Sequence, residues 1–427
     1  MCNRGCAAEV WRVEEGKHGQ VILDRECPQH GRRSVCISSD ARFYWLAKGA
    51  GDCCGGVACC ASEEGIDGSL GRNAEGRGEA PFETLSTCLA LVEIVNSCNL
   101  ACPTCYASSP PGPVDAVPLD QLQQRISGVL ARKGKIEILQ FSGGEPTLHP
   151  QFFALCEWVM ANPQIDYLLL NTNGVRIAVD DEFAAHLART FRYGRMQLYL
   201  QFDGPQLAAQ RYLRGADLRE IRERAINRCG EMNLPVTLAM TVVPENLPHI
   251  WETIEFGLEF PHVRGISFQP MFGSGRLPNS LGRRLNTADI IVAAVEQSLG
   301  RLRFEDFTPL PCGDPNCATI GYLLKTPGGI RSISDFVDFA QVQGFLRDKV
   351  RYQLSDLARC GCESEPLGAM LKQFELDERS TFRLFIKPFM DAWTWDQDRI
   401  DRCCTHVIRP DGKLDSFCRY YADRASR

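Results

Sequence analysis

The sequence predicts an α/β fold: a partial (β/α)6 barrel flanked by small cysteine-rich metal-binding modules. Short apolar runs alternate with helical patterns from about residue 88, and most of the 21 cysteines lie outside that alternation. Apolar runs in a strict βαβ order are typical of a parallel sheet that is buried on both faces. Six such units favour a partial barrel over a complete eight-stranded one.

Six apolar runs are the predicted strands of the barrel, and five helical patterns lie between them. The predicted strands are LALVEIV (89–95), IEILQF (136–141), YLLLN (167–171), MQLYLQF (196–202), VTLAMTVV (236–243) and GISFQP (265–270). The predicted helices lie near residues 119–132, 150–161, 180–190, 217–232 and 247–259. In parallel α/β folds the functional residues gather at the carboxyl ends of the strands, so the segments after these runs are the first candidates for a site.

The distribution of cysteines divides the chain into four regions. Residues 1–61 are predicted to be a cysteine-rich module and hinge, 62–85 a linker, 86–305 the barrel, and 306–427 a second cysteine-rich region. Eight cysteines lie in the first 60 residues and seven after residue 310. The linker assignment depends on SEEGIDGSLGRNAEGRGEAP (62–81), which is rich in glycine and charge and lacks periodicity.

Composition limits the location and the partners. The net charge of −6 argues against nucleic acid as the main partner. The first residues, MCNRGCAAEVW, contain no apolar core of a signal peptide, and no run approaches about 18 apolar residues, so we expect a cytoplasmic protein without a transmembrane segment. In a reducing compartment, closely spaced cysteines are metal ligands more often than disulfides. A disulfide framework is the alternative.

Three cysteines, Cys98, Cys102 and Cys105, follow the first predicted strand in the segment VNSCNLACPTCYAS. Three thiolates can hold a [4Fe–4S] cluster and leave one iron without a protein ligand, and that iron can bind a small molecule through an amino and a carboxylate group. Chance cysteines or a zinc site are the alternatives, but zinc would need a fourth ligand, and none stands beside the triplet in the sequence. The C-x3-C-x2-C motif resembles that of the radical S-adenosylmethionine superfamily.

This resemblance implies S-adenosylmethionine as a cofactor and a flavodoxin- or ferredoxin-type external electron donor. One electron from the cluster would cleave the sulfonium and give a 5′-deoxyadenosyl radical, which abstracts a substrate hydrogen. It also implies cofactor-binding residues at the ends of the second, third and fourth strands. They are Ser142, Gly143, Gly144, Glu145, Thr172, Asn173, Gln201 and Asp203. For the last four of these residues, an ordinary turn or strand-end cap is the alternative.

The terminal cysteines predict further metal sites. Cys2, Cys6 and Cys27, with His30 or a hinge cysteine as the fourth ligand, suggest a rubredoxin-like or zinc-ribbon-like site for one Fe or Zn ion. The other terminal cysteines provide thiolates for one or two auxiliary [4Fe–4S] clusters, as the C…PDG…C segment of larger superfamily members implies. The candidates are Cys54, Cys59, Cys60, Cys312, Cys317, Cys403, Cys404 and Cys418, with Cys360 and Cys362 as further choices. Cys36, Cys88, Cys156 and Cys229 are predicted to pack in apolar surroundings.

The order of these modules resembles the archaeal tetraether lipid synthases and their bacterial relatives, which include pterin methylases. The resemblance implies carbon–carbon bond formation at an unactivated carbon of a small-molecule, lipid or pterin-like substrate, by methyl or one-carbon transfer or by chain coupling. It identifies no catalytic residue. A peptide-modifying maturase with auxiliary clusters is one alternative, and a non-enzymatic iron–sulfur or zinc scaffold is another. The apolar stretch FRLFIKPFMDAWTW (382–395) is predicted to be core rather than the wall of a channel.

Overall fold

Two β-sheets organise the part of the chain that the computed structural model describes. The described residues are 9–15, 19–29, 31–47, 87–192, 194–278, 282–310, 314–336 and 378–424. A three-stranded antiparallel sheet lies near the amino terminus, and a twelve-stranded sheet contains the remaining strands. The larger sheet forms the predicted barrel.

The amino-terminal sheet is a meander of three strands followed by a helix. Its elements are β1 (Glu9–Glu15), β2 (Gln20–Cys27), β3 (Gly31–Ser38) and α1 (Ala41–Ala47). The ring of Phe43 in α1 packs edge-on against Phe304 at 5.2 Å, which attaches this sheet to the barrel. Cys27 ends β2 and is buried. The other predicted ligands of this region, Cys2, Cys6 and His30, lie outside the described residues.

The six predicted barrel strands are present, in order and parallel. They are β4 (Leu89–Val95), β5 (Ile136–Gly143), β6 (Ile165–Thr172), β7 (Met196–Gln201), β8 (Val236–Val242) and β9 (Val263–Pro270). Most of their residues are buried, because helices cover the outer face and the inner face lines the barrel. The prediction of an α/β fold with a parallel half-barrel is confirmed.

The five predicted helices are present, and α4, α6 and α9 are additional to them. The helices between the strands are α2 (Leu119–Lys133), α3 (Phe152–Ala161), α4 (Val175–Val179), α5 (Asp181–Thr190), α6 (Leu207–Arg214), α7 (Arg219–Glu231) and α8 (Ile250–Leu258), and α9 (Thr287–Gln297) follows β9. Asp180 separates α4 from α5, because its side chain accepts a hydrogen bond from the backbone N–H of Phe183 and caps the second helix. Helix α6 was not predicted, since its eight residues are too few for a periodic pattern to stand out.

The carboxyl-terminal region extends the barrel sheet at both edges. Its elements are β10 (Thr308–Pro309), β11 (Thr319–Thr326), β12 (Gly329–Ser332), β13 (Thr381–Ile386), α10 (Gln397–Asp401), β14 (Thr405–Ile408), β15 (Leu414–Ser416) and α11 (Phe417–Arg424). Strand β13 pairs in parallel with β9, and β14 pairs in parallel with β4. The described sheet therefore contains eight parallel strands rather than the six that the sequence indicated.

The hydrophobic core joins the barrel to its carboxyl-terminal additions. Val407 of β14 and Leu384 of β13 belong to the same buried cluster as Val92 of β4 and Ile266 of β9. The terminal strands are thus part of the barrel's core and not a separate layer. Of the helices described, none is both long enough and apolar enough to cross a bilayer.

Candidate active site

A cavity of about 250 Å³ lies inside the barrel. Alternate residues of each strand face it, as the two-residue period of a strand requires. All three cysteines of the triplet line the cavity, together with Gly143, Gly144, Glu145, Thr172, Asn173 and Gln201. The structure thus brings most of the predicted cofactor site to one place, at the carboxyl ends of β4 to β7.

The triplet occupies the loop after β4. The Sγ atom of Cys98 accepts hydrogen bonds from the Leu100 N–H at 3.4 Å and from Asn173 Nδ2 at 3.8 Å. Burial, and then the charges of Glu145, Cys102 and Cys105, raise the pKa of Cys98 to about 12. Such a thiol gives up its proton when a metal replaces that proton as the counter-charge.

Three thiols with N–H donors at Cys98 make up the kind of donor set that holds a [4Fe–4S] cluster. Among the described residues, no three His, Cys, Asp or Glu side chains converge on a point where they could hold a single metal ion. N–H donors directed at ligand sulfurs, as at Cys98, are also the contacts that tune such clusters.

Two glycines allow the end of β5 to lie against the start of the triplet loop. A Cβ atom on Gly143 would stand 2.1 Å from the Val95 carbonyl oxygen, and one on Gly144 would stand 2.0 Å from the Ser97 carbonyl oxygen. Gly143 also has a φ of +114°. These contacts show that the two glycines are required by the close approach of two backbone segments.

Glu145 links the ends of three segments through its buried carboxylate. Its Oε1 accepts hydrogen bonds from Thr147 Oγ1 and Thr172 Oγ1, each at 2.7 Å, and its Oε2 accepts the Asn173 N–H at 2.8 Å. Burial raises its pKa, while these donors act in the opposite direction. Asn173 in turn donates from Nδ2 to Asn99 Oδ1 at 2.7 Å, so Glu145 positions the loop that carries the triplet.

Ser142 takes part in a second network at the same edge of the sheet. Its Oγ lies 3.1 Å from the Tyr106 hydroxyl, and Asn171 Nδ2 donates to Ser142 Oγ at 3.4 Å. The Tyr106 ring packs edge-on against Tyr421 with 4.9 Å between ring centroids. Ser142 therefore helps to connect the triplet loop with the carboxyl-terminal helix α11.

Asp203, which was predicted to contact the cofactor, is not among the residues that line the cavity. It is fully buried, with a φ of +65°, and its carboxylate accepts two hydrogen bonds from Arg214, at 2.6 and 2.8 Å. Burial alone would raise the pKa of Asp203, but Arg214 and Arg222 bring it below its ordinary value. Asp203 is thus placed to act through Arg214 rather than as a direct contact to a bound molecule.

Arg214 is the functional candidate that the sequence reasoning missed. It lines the cavity, its guanidinium is in hydrogen-bonding contact with the Cys102 sulfur, and Asp203 raises its pKa against the effect of burial. When the Gln201 amide is oriented with its oxygen towards the guanidinium, that oxygen accepts hydrogen bonds from Arg214 Nη1 at 3.1 Å and from Nη2 at 3.0 Å. The sequence offers little signal for this role. Arg214 is the last residue of helix α6, and only the folded path of that helix brings it to the cavity.

Four of the predicted auxiliary ligands gather near two buried cations, Lys387 and Arg399. The four ligands are Cys317, Cys403, Cys404 and Cys418. Burial alone would lower the pKa of Lys387, but these four thiols raise it. Cys404 lines the cavity as well, so this group faces the same space as the triplet. The remaining auxiliary candidates (Cys54, Cys59, Cys60, Cys312, Cys360 and Cys362) lie outside the described residues.

The cysteines predicted to pack in apolar surroundings have different environments. Cys156 and Cys229 are fully buried in the core, and burial raises the pKa of both thiols, which agrees with the prediction. Cys88 is buried but forms a disulfide, so the packing prediction is wrong there. Cys36 is half-buried at the end of β3, with its Sγ 3.3 Å from the Ser38 carbonyl oxygen.

Comparison with known protein families identifies the barrel. Residues 92–257 match the Radical SAM superfamily. This part of the barrel is therefore similar to radical SAM domains. Members of that superfamily use S-adenosylmethionine and a [4Fe–4S] cluster as cofactors.

Similarity to one relative extends beyond residues 92–257. The chain is 25% identical to a 7,8-dihydro-6-hydroxymethylpterin dimethyltransferase of Methanocaldococcus jannaschii, over 94% of this chain and 88% of that protein. It is 33% identical to a mycofactocin maturase of Mycobacterium ulcerans, over 31% of this chain and 34% of the maturase. The similarity to the dimethyltransferase therefore includes the terminal regions of this chain, whereas the similarity to the maturase covers about a third of it.

Solved radical SAM structures resemble the protein over about half of its length. A structure of anSMEcpe with bound AdoMet and a peptide is 22% identical, with a TM-score of 0.38, over 49% of this chain and 59% of that one. Streptococcus suis SuiB bound to its precursor peptide is 16% identical, with a TM-score of 0.35, over 43% of this chain and 39% of that one. The protein thus spans less than two thirds of these chains.

Proposed function

We propose that this protein is a radical SAM enzyme and that it transfers a methyl or other one-carbon unit to a carbon atom of a pterin-like small molecule. The observation that carries this proposal is the similarity to the pterin dimethyltransferase over 94% of the chain. The aligned segment is longer than residues 92–257, which match the Radical SAM superfamily, and it includes the regions on either side of them. When bound, the cluster and S-adenosylmethionine supply one-electron cleavage of the sulfonium.

The chain's own residues hold and orient these groups. Cys98, Cys102 and Cys105 bind the cluster, while Gly143 and Gly144 bring backbone to the cofactor at the edge of the cavity. Arg214, held by Asp203, offers a guanidinium suited to the cofactor's carboxylate. Glu145 fixes Asn173 and the triplet loop in place.

The inner wall of the barrel supports a polar heterocycle over a lipid chain as the substrate. Amide and hydroxyl side chains face the cavity from β5, β6, β7 and β9, at Gln140, Asn171, Gln197, Tyr199 and Gln269. Several are joined by hydrogen bonds, such as Gln269 Nε2 to the Tyr199 hydroxyl at 2.6 Å. The edge of a pterin presents both donors and acceptors that can add to this network, whereas a hydrocarbon chain can form no hydrogen bond with it.

An aromatic wall supports the same choice. Tyr106, Phe272, Phe389 and Phe417 line the cavity beside the triplet. Phe389 and Phe417 stack with 4.1 Å between ring centroids, and Tyr106 lies 6.1 Å from Phe272. A flat ring system gains stacking contacts from such a wall. We extend the proposal to the four carboxyl-terminal thiols, which would hold an auxiliary cluster on this side of the substrate.

The test is turnover of a reduced pterin by anaerobically reconstituted protein. With S-adenosylmethionine, a one-electron reductant, a methylene-carrying reduced folate as the one-carbon donor and 6-hydroxymethyl-7,8-dihydropterin, we expect 5′-deoxyadenosine and a C-methylated pterin, measured by mass spectrometry. Cys98→Ala should abolish both products. Cys229→Ala is the matched control, because it removes a buried thiol in the core of the protein and should leave both products. Cleavage of S-adenosylmethionine without a change in any reduced pterin would contradict the proposed substrate.

A further inference from the structure

Strand β13 presents two cationic side chains to the cavity. Arg383, Phe385 and Lys387 line the cavity, while the residues between them, Leu384 and Ile386, point into the core and are at most 1% exposed. This alternation follows from the period of the strand. The stretch that was predicted to be core is therefore core on one face only.

Arg383 lies at the end of the barrel away from the triplet. It pairs in register with Gly265, which pairs with Thr237, the second residue of β8. This row is near the amino ends of the strands, whereas the triplet follows the carboxyl end of β4. A group bound at Arg383 would thus belong to the inner end of a substrate whose other end approaches the cofactor.

The immediate neighbours of Arg383 do not neutralise its charge. The Tyr199 and Tyr322 phenols lie beside the guanidinium, and burial raises the pKa of both, so they are uncharged near neutral pH. Among the described residues, no carboxylate forms an ion pair with Arg383. A guanidinium at the wall of an enclosed cavity is costly unless an anion meets it there.

The other cations that line the cavity have partners. Arg214 is paired with Asp203, and Arg276 donates from Nε to the Cys102 carbonyl oxygen at 3.0 Å. Lys387 faces the four carboxyl-terminal thiols. Glu145 is the carboxylate among the described lining residues, and its oxygens accept hydrogen bonds near the triplet, at the opposite end from Arg383. Arg383 contacts only uncharged phenols and Arg276 only backbone carbonyl oxygens among the described residues, but Arg276 lies beside the triplet, so Arg383 is the cation without an anionic partner at the amino end of the barrel.

We propose that Arg383 binds an anionic group of the substrate, a phosphate ester or a carboxylate, at the amino end of the barrel. The planar guanidinium can donate two parallel hydrogen bonds to either oxyanion. Tyr199 and Gln269 lie on the neighbouring part of the wall and face the ring of the same molecule. The assignment of that ring as a pterin rests on the proposed function. The assignment of an anionic group rests on the absence of a carboxylate partner for Arg383 among the described residues.

Anaerobic equilibrium dialysis of reconstituted protein tests the proposal without turnover. The ligands are 6-hydroxymethyl-7,8-dihydropterin, its monophosphate ester and the 6-carboxylate analogue. We expect wild-type protein to bind at least one anionic form about tenfold or more tightly than the alcohol, as a charge-assisted pair would give. Arg383→Gln should bring that ratio to about one and leave the affinity for the alcohol within a factor of about two. Arg331→Gln, which changes an exposed arginine on β12, is the matched control and should keep the ratio.

The two anionic ligands show which group Arg383 binds. Tighter binding of the monophosphate ester would identify a phosphate, and tighter binding of the 6-carboxylate analogue would identify a carboxylate. Equal binding of all three pterins by wild-type protein, or a ratio unchanged in Arg383→Gln, would overturn the proposal and leave the pterin assignment standing. If no pterin binds, the assay is repeated with radiolabelled inorganic phosphate. Binding that Arg383→Gln abolishes would then support the anion site while the proposed function fails, and absence of such binding would overturn both.

Discussion

At the residue scale, the candidate site is held together by buried charge. Asp203 is fully buried between Arg214 and Arg222, and the Arg214 guanidinium also lies beside the Cys102 sulfur. An unpaired charge in such a place is far more costly than an unpaired charge in water. Asp203 thus stabilises the fold and positions a residue of the cavity at the same time.

Asp203→Asn should lower the free energy of unfolding by roughly 3–5 kcal/mol, because it leaves two buried guanidinium groups without a counter-charge. Urea denaturation monitored by circular dichroism measures this difference. Asp217→Asn is the matched control, since Asp217 forms an exposed pair with Arg219 at 2.7 Å and should change stability little. Equal losses from the two substitutions would contradict the role assigned to the buried network.

Gly143→Ala should prevent the triplet loop from closing on β5, because its Cβ would stand 2.1 Å from the Val95 carbonyl oxygen. We expect little iron bound after anaerobic reconstitution, measured by a colorimetric iron assay. Gly329→Ala is the control: its φ of +112° matches the +114° of Gly143, but nothing lies within 4 Å of its Cβ. It should cost about 1–3 kcal/mol of backbone strain and leave iron binding unchanged. Normal iron content in Gly143→Ala would show that the close approach is not needed.

The triplet and the SGGE segment could be predicted from sequence because their residues are local and follow recognisable strands. The role of Asp203 could not, because its partners Arg214 and Arg222 lie on two later helices and only the folded chain brings them together. The same reason hides Arg214 and Arg383. A charged residue gives no local sign of which cavity it will reach.

At the element scale, the six predicted strands were recognisable because each is a nearly continuous apolar run. Strand β14 was not recognised, since THVI has four residues and contains a buried histidine whose Nδ1 lies 2.9 Å from Thr87 Oγ1. In β13, Arg383 interrupts the apolar pattern because that face of the strand lines the cavity. Polar side chains thus made both strands hard to recognise from the sequence.

Gly265→Ala should separate β9 from β13, because a Cβ there would lie 2.1 Å from the Arg383 carbonyl oxygen. Hydrogen–deuterium exchange read by mass spectrometry should then show faster exchange across Thr381–Ile386 than in the wild type. Gly300→Ala, where nothing lies within 4 Å of the new Cβ, serves as the control and should leave this peptide protected. Unchanged exchange in Gly265→Ala would mean that the two strands can move apart without losing their pairing.

His262 couples the end of helix α7 to the start of β9 and should make stability depend on pH. Burial lowers its pKa, while its Nε2 lies 2.8 Å from the Ile226 carbonyl oxygen. Folded His262 therefore binds a proton less readily than it does in the unfolded chain. The stability it contributes is complete above about pH 6.5 and is lost as the pH falls through the lowered pKa.

His262→Gln should accordingly show a smaller loss of unfolding free energy between about pH 7.5 and pH 5 than wild-type protein. The measurement is urea denaturation at a series of pH values. His249→Gln is the control, because His249 is half-exposed and pairs with Glu252 on the surface. Parallel pH profiles for His262→Gln and wild type would refute this assignment.

At the scale of the whole molecule, residues 378–424 complete the barrel at both edges. They supply β13 beside β9 and β14 beside β4, and they carry Lys387, Cys404 and Phe417 to the cavity. The barrel and the carboxyl-terminal region therefore form one cooperative structure, although the sequence suggested adjoining modules. An edge without its partner strand exposes unpaired backbone groups and invites aggregation.

A chain that ends at residue 377 should be insoluble or should unfold without a cooperative transition. Centrifugation of lysates and thermal unfolding of any soluble fraction measure this outcome. A chain that ends at residue 424 keeps every described strand and is the control, which we expect to behave as the full-length protein does. A soluble, cooperatively folding chain 1–377 would show that the six central strands suffice.

The placement of these two strands has a consequence for how the protein is made. Translation proceeds from the amino terminus, so β4 and β9 are made before the two strands that pair with them, β14 and β13. Until residues 378–424 have been made, the nascent chain carries the triplet cysteines on an incomplete scaffold, where they are exposed to oxygen and to stray metal ions. We therefore expect iron to bind stably only after β13 and β14 have joined the sheet.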